Sequence, residues 1–223
     1  GNLILDIYKL KNDMIGLSDK GQQFLANPAI ASSKFGSQIR GLMEKANYAK
    51  AEKLAETGDH TRAAKEFETF SGVTKSADLQ LAARYKAAQS YEKAGEMSSA
   101  ARNYQFVLAV NAKDARTQTL QNDARNALAK IYQQSGQLDL AAKQYAAYAT
   151  LNSKDQKAVN GFCNAAVIWD GLGVTDEASQ NYEKYRKFSK KADRNDTFFA
   201  EAQMWRRRKN EKRAIQFYQA YLD

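Results

Sequence analysis

The sequence predicts an all-α protein built as a solenoid of stacked antiparallel helix pairs, and three observations lead to this prediction. A glycine followed by an alanine five residues later and an aromatic nine residues later recurs at Gly58, Gly95, Gly136 and Gly173, with Lys209 in the glycine position of a fifth copy. These anchor positions are 37, 41, 37 and 36 residues apart, a period typical of stacked repeats. The sequence has no alternating β-branched runs bounded by turn residues, so strands are not expected.

Each anchor separates two amphipathic helical segments. Around Gly95, apolar residues follow one another in steps of three and four, which places them on one helix face: Leu81, Tyr85, Ala88 and Tyr91 before it, and Ala100, Tyr104, Val107 and Leu108 after it. Glycine adopts the left-handed backbone that ends a helix without a Cβ penalty. Asp59 and Asp139 stand near the starts of the following helices, where an acid is favourable. Each repeat is therefore predicted to be helix, tight turn, helix.

Small and large residues recur at fixed distances from the five anchors. The small ones lie seven before and five after: Ala51, Ala88, Ala129, Ala166 and Ala202, then Ala63, Ala100, Ala141, Ala178 and Ala214. The large ones lie four before, nine after and twelve after: Leu54, Tyr91, Tyr132, Trp169 and Trp205; Phe67, Tyr104, Tyr145, Tyr182 and Tyr218; Phe70, Val107, Tyr148, Tyr185 and Tyr221. We expect the backbones to approach most closely at the alanines, with the large side chains filling the spaces between.

This combined pattern resembles the tetratricopeptide repeat (TPR). The resemblance covers residues 44–223, in five repeats near 44–77, 81–114, 122–155, 159–192 and 195–223. It implies a right-handed superhelical solenoid of antiparallel helix pairs. The chain departs from the family because its repeats exceed the usual length of about 34 residues and lack the proline after the second helix. The phrase Gly-Asp-x-x-x-Ala-Ala-Lys-Glu-Phe, beginning at Gly58, is similar to repeat proteins of the bacterial cell envelope, namely assembly-machine lipoproteins and the Tol-Pal-associated periplasmic protein. That similarity favours the periplasm or cell envelope over the cytoplasm without fixing the compartment.

The two ends of the chain carry separate predictions. Residues 1–28 are predicted to hold a degenerate helix pair, with a first helix that stops near Gly16, a second capped by Ser18 or Asp19, and a break at Asn27-Pro28. Residues 29–223 form the repeat array, and one long helix is expected from Ser33 to about Glu56. Because the chain starts without methionine and ends just after several apolar residues, we expect an internal piece of a longer protein whose next repeats cover the C-terminal end. The alternative is that this end packs on another molecule.

Composition and motifs argue against catalysis. The chain has one cysteine (Cys163) and one histidine (His60), so neither an internal disulfide nor a zinc site with two or three histidines is possible. Gly-rich phosphate loops, nucleophile elbows and histidine–carboxylate metal spacings are missing from the sequence. We therefore predict that the chain is not an enzyme and needs no metal or cofactor. The sequence also lacks an apolar run of about 18 residues, so no membrane span is expected.

Positive charge is concentrated near the C-terminus. Residues 183–213 carry 12 Lys/Arg and 5 Asp/Glu, a net +7 of the chain's +9. We call its densest part the basic end: Arg206, Arg207, Arg208, Lys209, Lys212 and Arg213. The basic end is either a solvated helix face or a site for an acidic protein segment, a neighbouring acidic repeat or a phosphate-bearing polymer. Nucleic acid is not expected, because the charge does not follow a groove with interleaved aromatics.

The TPR resemblance also implies where a partner binds. In that family the first helix of each repeat lines the concave face, with inward residues at fixed positions before the anchor. At these positions lie what we call the predicted groove residues: Tyr48, Glu52, Tyr85, Gln89, Asn126, Lys130, Asn160, Cys163, Phe199 and Gln203. Aromatics provide flat apolar area and amides pair with peptide main chain, so this composition suits a protein segment. The lysine and asparagine clamp that some TPR domains use for chaperone C-termini is missing.

The function predicted from these observations is a non-enzymatic protein–protein interaction scaffold. Its concave groove would bind a peptide or helical segment of a partner within a multi-protein assembly. Two alternatives stay open: a targeting or regulatory arm of a larger enzyme, and electrostatic binding of an anionic polymer or acidic protein by the basic end.

Overall fold

The computed structural model describes residues 2–111 and 114–223, and every regular element within these ranges is helical. The predicted all-α class, built from antiparallel helix pairs, is confirmed. The chain divides into two compact units, the first reaching to Leu120 and the second beginning at Gln121.

Consecutive helices of the first unit pack against one another. They are α1 (Asn2–Leu10), α2 (Met14–Leu25), α3 (Pro28–Ala31), α4 (Lys34–Glu56), α5 (His60–Val73), α6 (Ala77–Lys93) and α7 (Met97–Ala109). The long helix expected after Ser33 is α4, and the Ser33 side chain caps it by accepting a hydrogen bond from the backbone N–H of Gly36.

The next helix, α8 (Ala115–Gln134), contains the boundary between the two units. The second unit continues with α9 (Leu138–Leu151), α10 (Gln156–Gly171), α11 (Thr175–Phe188), a 3-10 turn (Lys191–Asp193), α12 (Asn195–Arg207) and α13 (Glu211–Leu222). Here α9 packs on α10, α10 on α11, and α12 on α13.

The anchor turns share one backbone geometry. The four glycines have φ between +74° and +86°, and Lys209 adopts the same left-handed conformation at φ +58°. In each turn the residue after the anchor donates its N–H to the carbonyl four residues before the anchor, as from Asp59 to Leu54 at 2.9 Å and from Asn210 to Trp205 at 3.0 Å. This is the hydrogen bond of a Schellman motif, and it satisfies a carbonyl that the helix end would otherwise leave unpaired.

The repeating small and large residues form the cores. All ten alanines of the two small rows are buried at 4% exposure or less. Most of the large residues are also buried, but Tyr148, Trp169 and Tyr218 are only partly buried, and Tyr221 is 37% exposed. The expectation that every large residue fills an enclosed space is therefore wrong at Tyr148, at Trp169 and in α13. Trp169 still packs against the cluster that contains Met204 and Trp205.

The N-terminal segment differs from its prediction in where the helices begin and end. The first helix ends at Leu10 and not near Gly16, because Asp13 caps α2 by accepting a hydrogen bond from the N–H of Gly16 at 2.9 Å. Ser18 is instead a buried residue inside α2. Pro28 starts the short helix α3, with Asn27 as its cap. The pair α1 and α2 packs on α4 through a cluster of Leu5, Leu17, Ile39, Met43 and Ala46.

Candidate functional site

The first unit brings several predicted groove residues together on α4 and α6. Lys86 Nζ donates a hydrogen bond of 2.8 Å to Glu52 Oε1, which links the two helices. The same ammonium lies 5.9 Å from the ring centre of Tyr48 and 5.9 Å from that of Phe67. Lys86 is therefore the central cation of this face, although it was not among the predicted groove residues.

The protonation states of Lys86 and Tyr48 follow from their surroundings. Burial acts to lower the pKa of Lys86, but the hydrogen bond to Glu52 and nearby negative charge outweigh it, so that the pKa lies above its usual value. Burial raises the pKa of the Tyr48 hydroxyl, and the charge of Lys86 acts in the opposite direction. Near neutral pH this face therefore presents the protonated amine of Lys86 and the neutral phenol of Tyr48.

A solvent-open cleft of about 230 Å³ lies between α4 and α6 beside this ion pair. We call it the charged cleft, and Glu52, Phe67, Lys86, Gln89 and Lys93 are among its lining residues. The side chains of Glu52 and Lys86 are 40% and 41% exposed. Exposed ion pairs of this kind contribute about 0–1 kcal/mol, so a partner can exchange them for its own charges at little cost.

Several predicted groove residues also support the fold. The Tyr48 ring packs edge-on against Phe67 and Phe70, with ring centres 5.5 and 5.1 Å apart. Tyr85 packs on Tyr104 at 5.9 Å in the same manner. Truncation of either tyrosine to alanine therefore removes core contacts together with any binding surface.

In the second unit the predicted groove residues lie on three helices. Asn126 and Lys130 are on α8, Asn160 and Cys163 on α10, and Phe199 and Gln203 on α12. Phe199 is 42% exposed and packs against Tyr218 and Tyr221 of α13, at 5.9 and 5.3 Å between ring centres. Within the described ranges no hydrogen bond or ion pair joins these six side chains to one another. Burial raises the pKa of the Cys163 thiol, which keeps it protonated near neutral pH.

Half of the basic end takes part in internal contacts. Arg207 forms an ion pair with Asp170, and Arg208 donates to the Asp170 carbonyl at 3.1 Å and to Thr175 Oγ1 at 3.1 Å. The Arg213 guanidinium lies 4.3 Å from the Trp205 ring centre, a favourable cation–π distance. All six members are exposed, and among the described residues the side chains of Arg206, Lys209 and Lys212 make no hydrogen bond, ion pair or cation–π contact.

Two carboxylates that link helices were missed by the sequence analysis: Glu68, with its side chain 29% exposed, and Glu201. Glu68 accepts hydrogen bonds from Tyr91 at 2.8 Å and Asn103 at 2.7 Å, and Glu201, fully buried, accepts one from Arg186 at 2.6 Å. Each carboxylate joins helices of consecutive repeats. No spacing in a single sequence distinguishes such residues from exposed acids, because their burial depends on the neighbouring helix.

The described residues show no group of three or more His, Cys, Asp or Glu arranged to hold a metal ion. None of the described helices combines the length and apolar character needed to cross a bilayer.

Comparison with solved structures identifies the fold. A structure of MamA AMB-1 superposes with a TM-score of 0.54 at 16% identity, over 81% of this chain and 91% of that one. YrrB, described as a TPR protein with an unusual peptide-binding site, gives 0.54 at 18% identity, over 86% and 92%. No protein-family profile and no curated protein matches the chain. At such identities the likeness shows the fold alone, which is TPR-like.

Proposed function

We propose that this chain is a non-enzymatic scaffold that binds a peptide or helical segment of a partner protein, with α4 and α6 as its principal contact surface in the first unit. The observation that carries this proposal is the half-exposed Glu52–Lys86 pair beside Tyr48 at the open charged cleft. A peptide can replace the weak ion pair with its own charges, stack on the tyrosine ring and pair its main chain with the exposed amide of Gln89. The peptide-binding site reported for YrrB supports a peptide as the class of ligand.

The same proposal includes the predicted groove residues of the second unit, as a contact surface within that unit. Phe199 offers an exposed aromatic surface, and Asn160 and Lys130 offer exposed polar groups. Membership of a multi-protein assembly and a place in the bacterial cell envelope remain predictions from the sequence resemblance. Fractionation of the source cells tests the compartment directly.

A protein segment is a better candidate than an anionic polymer. Arg207, Arg208 and Arg213 are exposed but engaged in internal contacts, which leaves Arg206, Lys209 and Lys212 as the cations of the basic end without such contacts among the described residues. Polyphosphate or heparin binding that falls steeply with salt and disappears when Arg206, Lys209 and Lys212 are neutralised would support the polymer instead.

A peptide-display selection on the whole chain tests the proposal. Enriched peptides are synthesised, and their affinity is measured for the parent chain and for Lys86→Glu, which places a second carboxylate beside Glu52. We expect Lys86→Glu to weaken binding by about tenfold or more, since like charges then face each other in the cleft. The matched control is Lys65→Glu, the same charge change at an exposed position of α5. Failure to enrich any peptide, or equal loss in both variants, contradicts the proposal.

A further inference from the structure

The turn between α1 and α2 has the geometry of the anchor turns. Asn12 has φ +53°, close to the +58° of Lys209. The N–H of Asp13 donates to the carbonyl of Tyr8 at 2.9 Å, which joins the residue after Asn12 to the residue four before it, as at the anchors. Asn12 therefore holds the anchor position of a helix pair that precedes the five repeats, and the residues of α1 can be numbered from it.

Neighbouring repeats pack through fixed positions of two helices. Glu201 of α12, eight residues before its anchor, accepts a hydrogen bond of 2.6 Å from Arg186 and another from Ser179. These two residues of α11 lie thirteen and six residues after the preceding anchor. A Cβ added to Gly161 of α10, twelve before its anchor, would lie 3.1 Å from the Cβ of Ala149 of α9, thirteen after the preceding anchor. The covering helix thus uses positions eight and twelve before its anchor, and the covered helix uses positions six and thirteen after its own.

The covering position is enclosed in the five repeats and open in α1. Eight residues before each of the five anchors, exposure is 7% or less, at Lys50, Ala87, Leu128, Ala165 and Glu201. Their counterpart in α1 is Ile4, which is 42% exposed. Ile7, three residues further along and on the same side of the helix, is 45% exposed. We call Ile4 and Ile7 the α1 face.

The covered position is open in α13. Six residues after the anchor, α2, α5 and α9 carry residues that are fully buried, namely Ser18, Ala64 and Ala142. In α13 the same position holds Ile215, which is 56% exposed, and position thirteen holds Leu222, which is 82% exposed. We call Ile215 and Leu222 the α13 face. The described helices therefore leave a covering face open at α1 and a covered face open at α13, and both consist of large aliphatic side chains.

The residues that meet between repeats are matched in their chemistry. Where α11 presents a serine and an arginine, α12 supplies a carboxylate, and where α9 presents an alanine, α10 supplies a glycine. By the same rule, the α13 face requires an aliphatic residue at the covering position, and the α1 face has Ile4 there. Exposed apolar faces are also the surfaces by which proteins associate. One chain thus carries both halves of a further contact between repeats.

We infer that copies of this chain associate head to tail, with the α1 face of one copy seated on the α13 face of another, as a following repeat would be. Ile4 then lies between Ile215 and Leu222, in the place that a carboxylate takes between α11 and α12. Because the two faces differ, the contact is heterologous, and each copy of a pair keeps one face open for a further copy. The contact uses neither the charged cleft nor the side chains of the basic end, so this inference goes beyond the proposed function.

Sedimentation velocity of the whole chain, from micromolar to millimolar concentration, tests the inference. We expect an average mass that rises with concentration beyond that of two chains. Ile4→Asp and Ile215→Asp each place a carboxylate in the contact and should weaken association by about tenfold or more. Helicity should not change, because both residues are exposed. Val167→Asp is the matched control, since Val167 is 55% exposed and lies on neither face.

A mixture of the two variants tests the head-to-tail arrangement. Ile4→Asp keeps an intact α13 face and Ile215→Asp keeps an intact α1 face, so their equimolar mixture should form dimers and nothing larger. A mixture that stays monomeric overturns the arrangement. A single-chain mass for the parent at every concentration overturns the inference and leaves the two faces to a partner protein. Association that is unchanged in both variants, or weakened as much by Val167→Asp, also overturns it.

Discussion

The hydroxyl of Tyr104 donates a hydrogen bond of 2.8 Å to Oε2 of Glu92, twelve residues earlier in the chain. The tyrosine lies nine residues after the anchor Gly95 and the glutamate three before it. The bond therefore joins the two helices of one repeat across the turn between them. Tyr145 repeats the relationship with Gln133 Oε1, also at 2.8 Å. The side chains of Glu92 and Gln133, three residues before their anchors, therefore help to hold the second helix of the repeat.

We predict that Tyr104→Phe destabilises the chain by about 1–2 kcal/mol, because it removes a hydrogen bond to a charged acceptor and leaves the ring packing unchanged. Tyr145→Phe should have a smaller effect of about 1 kcal/mol, since its acceptor is a neutral amide. Urea denaturation measures both changes. Tyr8→Phe is the control, since none of the hydrogen bonds among the described side chains involves the Tyr8 hydroxyl. Equal stability of Tyr104→Phe and the parent chain would show that water replaces the bond without loss.

The fifth anchor offers a stabilising substitution. Lys209 has φ +58°, a conformation that places Cβ close to the following carbonyl oxygen and costs about 1–2 kcal/mol for a residue other than glycine. We predict that Lys209→Gly raises the free energy of unfolding of this region by about 1 kcal/mol.

Two further variants separate the effect of charge from that of backbone strain. Lys209→Ala removes the charge but keeps Cβ, so its free energy of unfolding should rise little. Gly95→Ala, at φ +79°, should be destabilising by about 1–2 kcal/mol for the same steric reason. Thermal melting of the three variants tests these expectations. If Lys209→Ala raises the melting temperature as much as Lys209→Gly does, charge and not backbone strain determines the stability of this turn.

The sequence predicted those features of the fold that depend on local spacing. The left-handed turn favours glycine and the close helix crossing favours alanine, so these residues recur at a fixed interval. Gly58, Ala63 and their counterparts were therefore placed correctly. The helix start at Met14 was missed because the sequence analysis placed the cap at Ser18 or Asp19, whereas Asp13 caps the helix and Ser18 is buried inside it.

The candidate site was less accessible from sequence. Position relative to the anchor placed Tyr48 and Glu52 among the predicted groove residues, but the pairing of Glu52 with Lys86 depends on how α4 and α6 approach each other. The contacts of Arg207 and Arg208 with Asp170 likewise required the structure, since sequence shows only a run of basic residues.

The buried pair of Glu201 and Arg186 should show strong coupling. Glu201 is fully buried and the Arg186 side chain is 12% exposed, with its guanidinium also lying 4.6 Å from the Phe198 ring centre. Removal of one partner leaves an uncompensated buried charge, so we predict that Glu201→Leu costs about 3–5 kcal/mol.

A double-mutant cycle with Arg186→Met tests this coupling. The double variant Glu201→Leu/Arg186→Met should be more stable than Glu201→Leu alone, because no unpaired charge remains. Glu183→Leu, at an exposed position of the same repeat, is the control and should change stability by about 0.5 kcal/mol or less. Additive effects of the two single substitutions would mean that the ion pair contributes no coupling energy.

Stability should decline at alkaline pH because of the buried tyrosines. Burial raises the pKa of Tyr182 and Tyr145, and burial together with the hydrogen bond to Glu68 raises that of Tyr91. Unfolded tyrosine has a pKa of about 10, so below that pH both states hold the proton and the full stability is present. As the pH rises above about 10, the unfolded chain loses protons first, and the free energy of unfolding falls. Urea denaturation between about pH 8 and about pH 11 should show this decline, with a shallower slope for Tyr91→Phe/Tyr182→Phe. An unchanged slope in that double variant would mean that these hydroxyls titrate in the folded chain as they do in water.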